Sequence, residues 1–197
     1  MRDSLAALRA SGDEVAAIAN LWKGKSVYRQ AATLDAFRQL APRYRILHLS
    51  THGQADDRNG DYAFLAFRVA DEHDAYSKLY ARDLYNLEIN ADLVVLSACE
   101  TGTGKLQRGE GIVSLARAFA YSGAKSLITT LWKVNDTSTK DLMIRFYQYL
   151  KAGRPKDAAL QLAKKDYLAS RQAGGGAALH PFFWAGFIAI GDMEPLR

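Results

Sequence analysis

The 197-residue sequence contains a single cysteine, Cys99. One thiol cannot form a disulfide within the chain, so the fold does not depend on oxidation, and a disulfide-stapled secreted scaffold is excluded. A cytoplasmic location is therefore expected. The place of the thiol is informative, because in "DLVVLSACETGTGK", residues 92–105, it follows an apolar run and precedes a glycine-rich turn.

Long apolar runs and clustered charge are also missing. No stretch approaches the ~18 consecutive apolar residues of a membrane span. The first segment, "MRDSLAALRASGDEVAAIANL", mixes charges into its apolar positions, unlike a signal peptide. The 26 basic and 21 acidic residues are spread along the chain, without the Lys/Arg stripe typical of nucleic-acid binding. We therefore expect neither a membrane nor a nucleic acid as a direct partner.

What the sequence does contain is apolar residues in strand and helix patterns, at 49% of the chain. The segments "YRILHLST", "ADLVVLSA" and "AKSLITTLW" are too apolar for a sheet with one wet face, and they predict parallel strands covered on both faces. Helical patterns such as "TLDAFRQLAP" and "GIVSLARAFAYSG" alternate with them. This alternation predicts a three-layer α/β/α fold with a mostly parallel central sheet, in one domain over residues 1–197.

Three further segments are strand candidates. "KSVYRQ", residues 25–30, follows the first helical pattern, and "YAFLAFRV", residues 62–69, predicts an added strand. "HPFFWAGFIAIG" near the end of the chain predicts the last strand.

Two of the predicted parallel strands end on reactive side chains. "ILHLSTHG" ends at His52 and Gly53, and "LVVLSACETG" reaches Cys99. Because the carboxyl ends of parallel strands meet at one edge of a sheet, adjacent strands would place the imidazole and the thiol on the same rim. Such a pair suits nucleophilic catalysis, in which a thiolate attacks a carbonyl and an imidazole protonates the leaving amine. The amides of Gly53 and Cys99 would then face the developing oxyanion.

A structural role for the same residues stays open, since cysteine is readily buried and His52 could be a turn residue. Two other chemistries fit less well. "TGTGK" resembles the end of a Walker A motif, but that pattern needs glycine at Cys99 and a hydroxyl at Leu106. His48 and His52, i and i+4 on a strand, lie ~13 Å apart, too far to share a metal ion. We therefore expect no cofactor or metal, and His48 is better explained as a hydrogen-bonded core residue.

Asp136, in "LWKVNDTSTKDL", has two interpretations. It is either the N-cap of the following helix, which is favoured, or an acid lining a cleft beside the strand that ends near Trp132.

Together these segments resemble the CHAT domain family, caspase-like cysteine peptidase modules related to caspases and separases. The resemblance rests on "YRILHLSTHG", "SACETG", "LWKVND" and "HPFFWAGFIAIGD", and it extends over nearly the whole chain. It implies a caspase-like sandwich in which His52 and Cys99 form a catalytic dyad that needs no third acidic partner. It also implies an oxyanion hole at the Gly53 and Cys99 amides and a substrate cleft walled around Trp132.

Two departures from the family pattern qualify what the resemblance implies. A caspase-like fold usually begins with a strand before the first helix, and here that strand is expected to be missing or supplied elsewhere. CHAT domains also commonly follow tetratricopeptide (TPR) repeats, and this sequence shows none. A regulatory protein or a TPR-type domain is therefore the expected partner.

The sequence thus predicts a cysteine endopeptidase acting on protein substrates. The alternative is a catalytically silent interaction module. If Asp136 lines the cleft, we expect a basic or mixed preference for the residue before the cleaved bond.

Overall fold

The computed structural model describes residues 11–54, 56, 59–70, 75–97, 99–100, 110–132, 134–172 and 177–196. The helices in these ranges are α1 (Ser11–Trp22), α2 (Leu34–Leu40), α3 (Ala81–Leu84), α4 (Glu110–Tyr121), α5 (Asp136–Lys151) and α6 (Lys156–Gln172). The strands are β1 (Ile46–Leu49), β2 (Gly53–Gln54), β3 (Phe64–Arg68), β4 (Tyr76–Tyr80), β5 (Leu93–Leu96), β6 (Cys99–Glu100), β7 (Ser126–Thr130) and β8 (Phe187–Gly191).

The central sheet has the strand order β1-β5-β7-β8, with β1, β5 and β7 parallel and β8 antiparallel to β7. Alternate residues of β5 pack into two separate apolar clusters. Leu93 and Val95 face the side covered by α1, α5 and α6, whereas Val94 and Leu96 face the side that holds α2, α3 and α4. The predicted three-layer α/β/α fold, caspase-like and with a mostly parallel central sheet, is confirmed.

A second, smaller sheet has the order β4-β3-β2-β6. The added strand predicted from "YAFLAFRV" is confirmed as β3, and it pairs antiparallel with both β2 and β4. The strand predicted over residues 25–30 is wrong, because residues 24–28 have no regular structure and Arg29–Ala31 form a 3₁₀ turn. Strand preference depends on a cross-strand partner, and none of the described strands pairs with this segment.

An ion-pair cluster aligns the amino ends of the three parallel strands. Asp92, just before β5, pairs with Arg45, just before β1, and accepts a hydrogen bond at 2.8 Å from Nζ of Lys125, just before β7. Burial alone would raise the pKa of Asp92, but the hydrogen bond from Lys125 and the charges of Lys125 and Arg45 outweigh it and lower the pKa. Because ion pairs align their amino ends, the three parallel strands have their carboxyl ends at the same edge of the sheet.

Candidate functional site

The carboxyl ends of β1 and β5 continue into a second pair of strands. Residues 50–52 lead from β1 into β2, and residues 97–98 lie between β5 and β6. β2 and β6 pair in parallel, with Gly53 opposite Cys99 and Gln54 opposite Glu100. Neighbouring strands are about 4.8 Å apart, so the residue that follows His52 lies directly beside the backbone of Cys99. The side chain of Cys99 is outside the described part of the chain.

The β3–β4 hairpin holds His52 in place. Its carbonyl accepts a hydrogen bond from the Ala66 N–H at 2.7 Å, and the hydroxyl of Thr51 donates to the Ala66 carbonyl. The imidazole is 5% exposed and meets the ring of Tyr76 edge-on, with 6.5 Å between centroids. The Arg68 guanidinium carbon lies 4.6 Å from the centre of the Tyr76 ring.

Sequence reasoning missed Tyr76 and Arg68. Tyr76 contacts His52, and Arg68 contacts Tyr76, through a pairing of β3 with β4 that no sequence motif marks. The one usable signal was the alternation in "YSKLY", which could have placed Tyr76 on a strand.

Trp132 lies just beyond the end of β7, the third strand whose carboxyl end reaches this rim. Its indole Nε1 donates to the Phe182 carbonyl at 2.9 Å, and the preceding Leu131 N–H donates to the Gly186 carbonyl at 2.9 Å. A Cβ atom at Gly186 would sit 2.9 Å from the Trp132 ring, so only glycine allows this close packing. The segment before β8 therefore fixes the indole at the rim.

Asp136 does not cap α5, so that prediction is wrong. The N-cap is Asn135, whose side-chain oxygen accepts hydrogen bonds from Thr137 N at 3.1 Å and Ser138 N at 3.3 Å. Asn and Asp are about equally good N-caps, so the sequence does not distinguish the two adjacent candidates. The backbone conformation determines which of them is the cap. Asp136 is the first helical residue, and its side chain is not among those described.

A buried polar cluster lies below the rim, and it confirms His48 as a hydrogen-bonded core residue. His48 Nε2 is 2.8 Å from Oε1 of Glu14, and Nδ1 is 3.2 Å from the Tyr147 hydroxyl. The Ser97 hydroxyl lies 3.4 Å from Nε2. Burial, and then the charge of Glu14, raise the pKa of Tyr147 well above its usual 10.0. The phenol is therefore favoured in its neutral form, and its hydroxyl and Nδ1 share a hydrogen bond whose direction follows the tautomer of the ring.

Among the described side chains, no three His, Cys, Asp or Glu residues converge in a way that could hold a metal ion. None of the described helices is both long and apolar enough to cross a membrane. The "TGTGK" segment, residues 101–105, lies outside the described residues, so its comparison with a phosphate-binding loop rests on sequence alone.

Comparison with known proteins shows the family of the chain. The sequence model of the CHAT domain matches residues 2–192. Tetratricopeptide repeat protein 28 of Mus musculus is 36% identical over 119 residues, and its Homo sapiens counterpart is 34% identical over 119 residues. Each match covers 60% of this chain and 5% of the relative, so the chain spans a small part of these relatives' length. With a caspase-like fold and a family match over nearly its whole length, the chain belongs to the CHAT domain family.

Proposed function

We propose that this chain is a cysteine endopeptidase that cleaves peptide bonds in protein substrates through Cys99 and His52. The observation that carries the proposal is the parallel pairing of Gly53 with Cys99. It sets the segment with the buried His52 imidazole beside the residue that holds the only thiol of the chain. Membership in a family of caspase-like fold supports the same assignment.

In the proposed reaction, His52 accepts the thiol proton and the Cys99 sulfur attacks the carbonyl carbon of the substrate. The amides of Gly53 and Cys99 stabilise the oxyanion. The C–N bond breaks as protonated His52 gives its proton to the leaving amine, which leaves a thioester on Cys99. Water then attacks the thioester, His52 takes up the water proton, and the departing sulfur regains it. The net change is addition of one water across the peptide bond.

Two residues near β7 complete the proposed substrate site. Trp132 is fixed at the rim by Phe182 and Gly186 and would wall one side of the cleft. Asp136 opens α5 four residues further on. A carboxylate there would favour a basic residue before the cleaved bond. We also propose a cytoplasmic location, because the reaction requires a reduced thiol.

The test is covalent labelling by a peptide probe that carries an electrophilic ketone after an arginine. Intact mass is followed over time for the wild type, Cys99→Ala and His52→Ala. Because Cys99 is the only cysteine, the position of the adduct is unambiguous. We expect fast labelling of the wild type, none in Cys99→Ala, and a loss of about 10²-fold or more in His52→Ala, the usual contribution of a general base.

Arg154→Ala is the control, because it removes an exposed side chain beyond the carboxyl end of α5, the end of that helix away from the rim. It should label like the wild type, and an aspartate version of the probe should label more slowly than the arginine version. Labelling that does not change in His52→Ala would contradict the dyad. Preference for the aspartate probe would contradict the role of Asp136 while leaving the dyad intact.

A second candidate function is a silent caspase-like interaction module. The names of the two relatives favour it, since both are tetratricopeptide repeat proteins. On this alternative a TPR-type domain or a regulatory protein binds the chain without turnover. Cys99 would then label no faster than a simple thiol, and Cys99→Ala would bind its partner as tightly as the wild type.

A further inference from the structure

The buried polar cluster below the rim contacts both strands that lead to the proposed catalytic residues. His48 lies in β1, four residues before His52, and Ser97 follows β5, two residues before Cys99. The imidazole Nε2 of His48 is 3.4 Å from the Ser97 hydroxyl, and the Ser97 N–H donates to the Leu49 carbonyl at 3.1 Å. The two chain segments are therefore joined by a side chain and by the main chain at the point where they leave the central sheet.

The imidazole of His48 reaches along the sheet toward the rim. In the register of the sheet His48 lies beside Val95, but its ring contacts Ser97, two residues nearer the rim. A bond in this direction resists sliding of β5 along β1. Such sliding would also separate Gly53 from Cys99, because β2 and β6 continue from these two strands.

A further contact of the imidazole comes from α1. Glu14 is 2% exposed, and its Oε1 lies 2.8 Å from the same Nε2 that faces Ser97. Replacing a buried ionisable pair by apolar residues of similar volume often costs no stability, whereas the directional bonds of such a pair define one arrangement. The contact is therefore better explained by the orientation that it gives the ring of His48 than by stability alone.

The position of Glu14 depends on how α1 packs against α5. The indole N–H of Trp22 donates to the Tyr147 carbonyl at 3.3 Å. The carboxylate of Asp13, next to Glu14, lies 3.7 Å from Nζ of Lys140. A shift of α1 along α5 would therefore change the hydrogen bonding of the imidazole.

From these contacts we infer that Glu14, His48 and Ser97 are positioning residues for the site of Cys99 and His52. Glu14 orients the imidazole of His48, which holds the Ser97 segment against the end of β1 and so keeps β6 in register with β2. Through Glu14, the packing of α1 on α5 controls the assembly of the site. The consequence for catalysis rests on the proposed peptidase function, whereas the effect on the pairing of β2 with β6 does not.

The first test compares two buried serines. Ser97→Ala removes the hydroxyl that contacts His48, and Ser122→Ala is the matched control, because it removes a buried hydroxyl between α4 and the amino end of β7. The arginine ketone probe is titrated, and the maximal labelling rate and the half-saturating concentration are measured. We expect Ser97→Ala to lower the maximal rate about tenfold or more at an unchanged half-saturating concentration, because small misplacements of reacting groups slow a reaction strongly. Ser122→Ala should match the wild type.

Glu14 allows a conservative replacement. Glu14→Gln keeps a group that can accept from or donate to Nε2 of His48, so this variant should label nearly as fast as the wild type. Glu14→Leu keeps the approximate size and removes both options, so it should lower the maximal rate at least as much as Ser97→Ala. If Glu14→Gln labels as slowly as Glu14→Leu, or Glu14→Leu as fast as the wild type, a hydrogen bond from Glu14 does not orient His48 and the inference is overturned.

Hydrogen exchange separates this inference from the proposed function. The amides of β2 and β6 should exchange faster in Ser97→Ala than in the wild type, whatever the reactivity of Cys99, and should be unchanged in Ser122→Ala. If the wild type labels no faster than a simple thiol, the peptidase proposal fails and exchange alone decides the positioning role. Unchanged exchange in Ser97→Ala would overturn the inference, as would wild-type labelling by Ser97→Ala where the wild type labels fast.

Discussion

Tyr147 is buried, its hydroxyl is hydrogen-bonded to His48 Nδ1, and its ring packs against Trp22 and Phe146. Tyr147→Phe keeps the ring and removes the hydroxyl. We expect a loss of about 1–3 kcal/mol in the free energy of unfolding, because Nδ1 of His48 loses its hydrogen-bond partner. Urea unfolding near neutral pH measures it, with Tyr121→Phe, 75% exposed, as the control.

The same residue predicts a pH dependence. The folded-state pKa of Tyr147 is raised, so the neutral phenol is favoured in the folded protein. Its contribution is complete below the usual pKa of 10.0 and is lost as pH rises beyond it. The wild type should therefore lose stability above about pH 10 more steeply than Tyr147→Phe. Equal slopes for the two proteins would show that Tyr147 does not titrate differently on folding.

The role of a single residue could be predicted from the sequence only where its neighbours in the chain determine that role. The role of His48 followed from its place inside an apolar strand, where a polar ring needs partners. Its partners Glu14 and Tyr147 are 34 and 99 residues away in the chain, so nothing local to the strand identifies them. The contact of His52 with Tyr76 could not be predicted from the sequence for the same reason.

Among the helices and strands, the start of α5 shows which of two adjacent residues stabilises the end of a helix. Asn135 accepts hydrogen bonds from two helical N–H groups, so Asn135→Ala should cost about 1 kcal/mol of stability. Asp136, as the first helical residue, interacts favourably with the helix dipole only. Asp136→Ala should therefore lower the free energy of unfolding by less, about 0.3–1 kcal/mol. Denaturant unfolding of both variants decides the order. A larger loss in Asp136→Ala would show that the aspartate side chain, and not Asn135, stabilises this end.

The strands β1, β5 and β7 could be predicted because their sequences do not alternate between apolar and polar residues. The clearest case is β5, which is apolar and buried at every position. The adjacency of β5 and β7 follows from the usual preference of parallel strands joined by a helix. The pairing of β1 with β5, which brings the segments of His52 and Cys99 together, spans the hairpin of the second sheet. "KSVYRQ" fails as a strand because strand formation depends on a partner edge more than on the segment itself. The short pair β2–β6 also depends on two chain segments meeting beyond the central sheet, which no local pattern announces.

For the whole molecule, the placement of charge matters more than the net value of +5. Arg145, Arg171 and Lys140 lie within 4 Å of carboxylates on a neighbouring helix, so these pairs join α5 to α1 and α6. A separate cluster around Asp92 joins the amino ends of the three parallel strands. Surface ion pairs contribute only about 0–1 kcal/mol each, so the apolar clusters on the two faces of the sheet supply most of the stability.

The Asp92 cluster gives a prediction that depends on pH. Burial would raise the pKa of Asp92, but the hydrogen bond from Lys125 and the charges of Lys125 and Arg45 outweigh it, so the folded-state pKa is lowered. Its contribution to stability is complete above the usual pKa of 3.8 and is lost as pH falls below it. Urea unfolding at several pH values should therefore show a steeper loss of stability in acid for the wild type than for Asp92→Asn. The same acid dependence in both proteins would show that Asp92 titrates alike in the folded and unfolded chains.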